Sequence, residues 1–372
     1  MNPNNSGNRK LVAVIGVGTG LILILSIIFW FGMIPGQVKF EHPFDVAVTP
    51  DGRIVVADTL DNRIMIFDSE GKLQRSFGSE GNDTGQFRFP QSVAVSPDGN
   101  IFVVDGWNNR IQIFDQNGTF LKTWGSKGYR DGELDSPHGI AVTPEGNVIV
   151  TERENNRVQV FDRNGTFKRK WGATGPAVDV RGIYNKPNSA VSRDGNVVQL
   201  AEGRIINTWD SFEDIDDYSF NNPNGVAINR SGDIIIADTF DNRISAFTAN
   251  GTFLWKTHKR GSIQGRGPGE FWGPSDVAVT PGGDILVADE VNNRIQVLSS
   301  SGSYKTEWRS GMLGGVLPVS YDNPFGIDVA QDGTILVADT FNNRIVILNK
   351  TGIPQKVIGS RNPVEALVNE FL

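Results

Sequence analysis

Short apolar runs of about five residues recur along the chain, each closed by a cluster of turn-forming residues. Pro43-Phe44-Asp45-Val46-Ala47-Val48 runs into Pro50-Asp51-Gly52, and Ile54-Val55-Val56-Ala57 into Asp58 and Asn62. Arg63-Ile64-Met65-Ile66-Phe67 then runs into Gly71, and a fourth run closes at Phe77-Gly78, a pair that becomes Trp124-Gly125 and Trp171-Gly172 in later copies. Runs this short, rich in Val, Ile and Phe and bounded by Gly, Asn and Asp, predict β-strands. The whole unit repeats. Its opening proline recurs at Pro43, Pro90, Pro137, Pro187, Pro223, Pro274 and Pro324, with spacings of 47, 47, 50, 36, 51 and 50. Four antiparallel strands at such a period predict the blades of a β-propeller, an all-β ring that leaves no long sheet edge exposed.

The third run opens on a recurring core in six of the seven units, Asn-Asn-Arg-Ile in copies such as Asn108-Asn109-Arg110-Ile111. This core resembles the NHL repeat, whose units form β-propellers, commonly six-bladed. The resemblance covers nearly all of residues 40–359 and is strong in six units. What it implies for function is broad, because NHL propellers bind proteins or RNA or sense extracellular ligands, and relatives act as lyases and lactonases. Fold does not carry function across that range.

The fourth unit departs from the pattern. Pro187-Asn188-Ser189-Ala190-Val191 and Asp194-Gly195 fit the opening, and Gly203 to Trp209 fits the closing strand, but Gly195 to Gly203 spans 8 positions where Gly99 to Gly118 spans 19. The Asn-Asn-Arg hairpin is deleted. The expectation is a seven-bladed ring with a degenerate fourth blade. The alternative is a six-bladed ring with residues 173–222 as an insertion.

Composition adds bounds. Leu11 to Ile34 is a run of 24 residues without a charge, long enough to cross a bilayer, with Arg9 and Lys10 before it. The positive-inside rule then places residues 1–10 in the cytoplasm, 11–34 in the membrane as an uncleaved signal anchor, and the rest outside. Residues 35–42 form a linker, 43–359 the propeller and 360–372 a C-terminal tail. Gly16-Val17-Gly18-Thr19-Gly20 lacks the spacing and acidic partner of a dinucleotide site. With a net charge of −7, a general nucleic-acid surface is not expected, and the absence of cysteine excludes disulfides and thiol chemistry.

Strand parity sorts the loops. The Pro-x-Gly and Asn-Gly-Thr turns share a lower face, and the Asp-x-x-Asn-Asn-Arg loops share an upper face with the variable blade-to-blade connections. Variable loops on a rigid frame are where binding is expected. Glycosylation acceptors at Asn117, Asn164 and Asn250 fall on the lower face.

The recurring Asp-Arg pairs, such as Asp58 with Arg63, read as hairpin fasteners. Two other positions vary. Two residues beyond the acid stand Leu60, Trp107, Glu154, Phe240, Val291 and Phe341, five of the six apolar, a rim that either packs on the neighbouring blade or holds a partner through Leu60, Trp107, Phe240 and Phe341. After each proline stand Phe44, Gln91, His138, Asn188, Asn224, Ser275 and Phe325, followed in two units by Asp45 and Asp276. Gln91, His138, Asn188, Asn224 and Asp276 form a candidate ring at the channel mouth, for channel water, a polar ligand or calcium.

The leading expectation is a membrane-anchored, extracytoplasmic propeller that binds a protein, glycan or small ligand through its upper face without catalysis. A divalent-cation-dependent hydrolase or lyase of lactonase type at the channel mouth is the alternative, and a structural component of the cell envelope is a third reading.

Overall fold

The computed structural model describes residues 38–172, 189–191, 197–201, 204–209, 219–258, 264–313 and 317–359. The apolar run 11–34, residue Asn188 and the tail 360–372 lie outside the described residues. Six four-stranded antiparallel sheets, with strands in chain order from the inside outwards, form blades 1 to 6 at residues 43–77, 90–124, 137–172, 223–256, 274–308 and 324–358. The innermost strands of successive blades lie side by side, and Pro324–Val329 of blade 6 closes the ring against Pro43–Val48 of blade 1.

The second strand of a blade is buried along its whole length, as Ile54–Asp58 is, because neighbouring blades cover both of its faces. This is why these runs are continuously apolar instead of alternating. Between blades 1 and 2, Val55, Ala57, Ile64 and Ile66 pack on Val93, Ile101, Val103 and Phe114. The outermost strand Leu73–Phe77 has only one covered side, and four of its five residues are exposed.

The ring has six blades, not seven. The shortened fourth unit forms a separate three-stranded sheet, Ser189–Val191, Val197–Ala201 and Arg204–Trp209. Blade 3 packs directly on blade 4 instead, through a cluster that joins Ile149, Val158 and Val160 to Val226, Ile234 and Ile236. The physical reason lies in the deleted hairpin. In every blade the second asparagine of Asn-Asn-Arg, or its counterpart, adopts a left-handed conformation and docks the next blade. The side-chain oxygens of Asn62, Asn109, Asn156, Asn242, Asn293 and Asn343 accept the backbone N–H of Phe89, Ser136, Asn222, Gly273, Asn323 and His42 at 2.8–2.9 Å. The bond from Asn156 reaches past the whole insertion to Asn222. A unit without the hairpin has no such dock, so it cannot take a place in the ring.

Among the described residues, no helix is long and apolar enough to cross a membrane. A second extra hairpin, Ser310–Leu313 with Leu317–Ser320, stands in the connection between blades 5 and 6.

Candidate functional site: the upper face and channel mouth

Hydrogen bonds place the Asp-x-x-Asn-Asn-Arg loops and the blade connections on one face, as strand parity requires. In blade 5 the Asp289 carboxylate accepts the Trp272 N–H at 2.9 Å and the Arg294 Nε–H at 2.6 Å. Arg294 then donates to the carbonyls of Arg266, Gly267 and Glu270, so a single guanidinium knits the connection to the hairpin. Arg157 does the same in blade 3 with Glu152 and the carbonyls of Tyr129, Arg130 and Glu133. Burial pushes the Asp238 carboxyl up to about 7 and Asp58 to about 6, with the paired arginines pulling the other way. These groups are committed to the frame, which supports their reading as fasteners.

The loop tips behave differently. Leu60, Trp107, Phe240, Val291 and Phe341 are all exposed, from 40% at Leu60 to 67% at Trp107. Each tip donates its own N–H to the connection beside it, as Trp107 does to the Arg88 carbonyl and Phe341 to that of Asp322, both at 3.1 Å. The tight turn leaves the side chain facing outwards. They do not bury themselves against the neighbouring blade.

From Trp107 an aromatic path leads inwards. Trp107 stacks on Phe89 at 4.8 Å, Phe89 meets Phe44 edge-on at 5.5 Å, and Phe44 stacks on Phe325 at 4.7 Å. Phe325 then contacts the His138 ring at 5.6 Å. Blades 3 and 6 stand opposite one another in a six-membered ring, so the last contact crosses the channel axis.

The mouth is therefore two-sided. Phe325 and Phe44 occupy the blade 6 and 1 arc, and Gln91, His138 and Asn224 the arc of blades 2 to 4. His138 and Asn224 are each only 3% exposed. Gln91 Oε1, His138 Nε2 and Asn224 Oδ1 have no hydrogen-bond partner among the described residues. Ser275, at the same position in blade 5, is satisfied by donating to the Phe325 carbonyl at 2.8 Å. Burial drives the His138 imidazole well below its ordinary value, and the nearby positive charge of Arg153 acts in the same direction, so the ring is neutral.

Arg153 and Glu290 complete the mouth, and the sequence reasoning missed both. They stand directly after the acidic fastener, where Thr59, Thr239 and Thr340 donate a hydroxyl to the carbonyls of Pro90, Pro274 and Pro43 at 2.7–2.8 Å. Two opposite charges in a position otherwise held by threonine or glycine were a readable signal. Burial raises Glu290 to about 7, against the Asn323 amide and the charge of Arg153. The Arg153 guanidinium lies over the Phe240 ring at 5.8 Å.

Deeper in the channel stand Asp45, Asp276 and Asp328. Each accepts a backbone N–H from the next blade: Val93 at 2.9 Å, Ile327 at 2.9 Å and Val48 at 2.8 Å. Burial raises Asp45 to about 6 and Asp328 to about 7, and raises Asp276 well above the carboxylate range, with Asp45 adding repulsion. Close packing makes this possible. A Cβ on Gly225 would lie 2.1 Å from Asp276 Oδ1, and one on Gly326 would lie 2.5 Å from the Phe44 carbonyl. Asp276 is thus placed below the mouth as an interblade clamp. Asp328, also unforeseen, replaces the alanine found at this point in the other five blades (Ala47, Ala94, Ala141, Ala227 and Ala278). Among the described residues, no group of three or more His, Asp or Glu side chains is arranged to hold a metal ion. The calcium expectation draws no support from them.

On the lower face, Asn117, Asn164 and Asn250 are exposed in their turns. The Asp115 carboxylate holds the first of these turns through the N–H groups of Asn117 and Thr119, both at 2.8 Å. Arg53 of blade 1 reaches the Gln116 carbonyl of blade 2 at 2.7 Å, so the Pro-x-Gly and Asn-Gly-Thr turns do share this face.

The NHL repeat family matches four segments, residues 87–114, 134–161, 220–247 and 271–298. Each begins at a buried apolar residue of a connection (Phe87, Leu134, Phe220, Phe271) and ends with the third strand of blades 2 to 5. A stretch of 59 residues is 42% identical to Protein brain tumor of Drosophila melanogaster, covering 16% of this chain and 6% of that protein. Among solved structures, a streptogramin B lyase superposes with a TM-score of 0.50 at 15% identity, covering 82% of this chain and 92% of its own. A chain of a nidogen/laminin complex gives 0.51 at 12% identity, covering 80% and 90%. At such identities the likeness concerns the fold alone. The chain carries four NHL repeats, and its described residues build a six-bladed β-propeller.

Proposed function

We propose that this propeller is an interaction module that captures a protein partner on its upper face. The observation that carries the reading is the ring of exposed loop-tip side chains Leu60, Trp107, Phe240, Val291 and Phe341, repeated in five of six blades around one channel mouth. Large apolar groups held out on rigid turns lose little conformational freedom on contact, and Trp and Phe supply much of the energy of protein interfaces. The opposite face offers short, regular turns and potential glycan acceptors, which leaves the upper face as the variable one. In this reading the uncharged run 11–34 anchors the chain in a membrane with the propeller outside. Extraction of native membranes at alkaline pH tests that part, since release of the chain would exclude an integral anchor.

The partner is captured from native membranes with the full chain as bait. Trp107→Ala combined with Phe240→Ala is expected to abolish a capture that wild-type protein performs reproducibly, while the thermal melt stays close to wild type. Undiminished capture by the double variant would refute the aromatic rim as the binding surface.

A further inference from the structure

The fastener arginines are tied to carboxylates and backbone carbonyls, as Arg294 is, whereas Arg153 on the same face is not. Its guanidinium rests over the Phe240 ring at 5.8 Å and makes no hydrogen bond among the described residues. Glu154 and Glu290 attract it only through space. Glu290 is in a matching state: its carboxylate accepts one long bond, from the Asn323 amide at 3.4 Å. Both side chains are half-buried, and unlike those of Gln91, His138 and Asn224 their unpaired atoms are not sealed from outside. The two charges flank one loop tip. Arg153 directly precedes the tip of blade 3 and Glu290 that of blade 5, with Phe240 as the exposed tip of blade 4 between them. A protein lying on Phe240 and Val291 therefore covers both charges and takes away their water. A charge covered without a partner is strongly unfavourable, so this surface rejects a protein that does not supply the complement.

We propose that Arg153 and Glu290 read charge on the protein seated on the rim. They select a segment that turns an acidic side chain toward blade 3 and a basic one toward blade 5, with an apolar residue on Phe240 between them. This rests on the rim as the binding surface and supplies its specificity. A planar guanidinium takes a carboxylate in two parallel bonds, and the Glu290 carboxylate accepts from an ammonium or guanidinium. A phosphate-rich surface, nucleic acid or anionic lipid, matches Arg153 but is repelled by Glu290 and by the exposed Glu154. The rival reading is that Arg153 and Glu290 merely neutralise each other once covered. Exchanging the two charges separates these cases, because it preserves their mutual attraction and reverses the order they read.

The test is selection of peptides from a random-sequence phage library on the immobilised full chain. It is run at about pH 8, so that Glu290, raised to about 7, is charged. Peptides that bind wild type and are lost on Trp107→Ala with Phe240→Ala are rim ligands. They are expected to be enriched in an acid and a base on either side of an apolar residue. Arg153→Glu with Glu290→Arg is expected to weaken them by about ten-fold or more, and to select peptides with the charges in reverse order. Arg153→Gln with Glu290→Gln removes both charges at similar size. It is the second variant should the exchange disturb folding, and is expected to lose the charge preference. Thermal melts close to wild type check both. Rim ligands without charge enrichment, or bound as tightly by the exchanged and neutral variants, would overturn the proposal and leave the rim standing. A selection that yields no peptide sensitive to Trp107→Ala with Phe240→Ala would refute the rim, and the charge reading with it.

Discussion

At the Glu152–Arg157 fastener every charged atom has a partner: the carboxylate accepts from Arg157, Asn155, Gln159 and the Asp135 N–H. At His138 and Asn224, on the inner strands of blades 3 and 4, buried polar atoms have none among the described residues. The two regions lie on one face and share one blade, so burial alone does not separate them. Repetition does. The fastener recurs in every blade because each blade must be tied to its own connection. The mouth residues differ from blade to blade because they meet around an axis, where no equivalent neighbour imposes a partner. A saturated polar network holds the ring together, whereas at the mouth buried polar atoms stand without partners among the described residues.

That contrast can be broken from its strong side first. Glu152→Ala leaves the Arg157 guanidinium fully buried with only carbonyl partners, and is expected to cost about 3–5 kcal/mol in urea denaturation. A cost below about 1 kcal/mol would show that the fasteners are not what holds the blades. Next in size comes Asn156→Ala, which removes the acceptor for Asn222 and puts alanine at φ 47°. It is expected to cost about 2 kcal/mol or more. Asn156→Gly, which tolerates the same backbone, is expected to cost less, and equal losses would mean that the backbone conformation contributes nothing.

The channel carboxylates sharpen the comparison through pH. Asp45, Asp276 and Asp328 hold their protons more tightly in the folded ring than an aspartate of the unfolded chain, which titrates at 3.8. The stability they confer is complete below that value and is lost as pH rises through about 6 to 7. The melting temperature is therefore expected to fall between about pH 5 and about pH 8. Asp328→Asn keeps an acceptor for Val48 and should flatten the slope. The exposed carboxylates Asp51, Asp115, Asp162 and Asp332 are shifted downwards and act only in more acidic solution. A melting temperature that rises across the same window would contradict the assignment. The smallest effect is expected at the rim, where Trp107→Ala removes an exposed ring stacked on Phe89 and should change stability by about 1 kcal/mol or less.

Much of this architecture was legible in the chain. The strands, their order in each blade and the sorting of loops onto two faces follow from local turn chemistry and strand parity, which need no partner from elsewhere. Asp58 and Arg63 were readable as fasteners because they recur five residues apart. Gln91, His138 and Asn224 stood out because they vary where all else repeats. Arg153, Glu290 and Asp328 were equally visible as departures from threonine and alanine, but their role depends on neighbours from other blades. Phe89 sits in a connection, and only its left-handed backbone turns it between Phe44 and Trp107.

By itself the sequence determined the blade, the constant fasteners and the positions free to change. The tertiary structure alone decided how many blades close the ring, because a shortened unit is admitted or excluded by whether its neighbours can dock without it. Asn156 and Asn222 dock directly, so the count is six. That count sets which residues face each other: an even ring puts His138 opposite Phe325, and the two-sided channel mouth follows from that pairing.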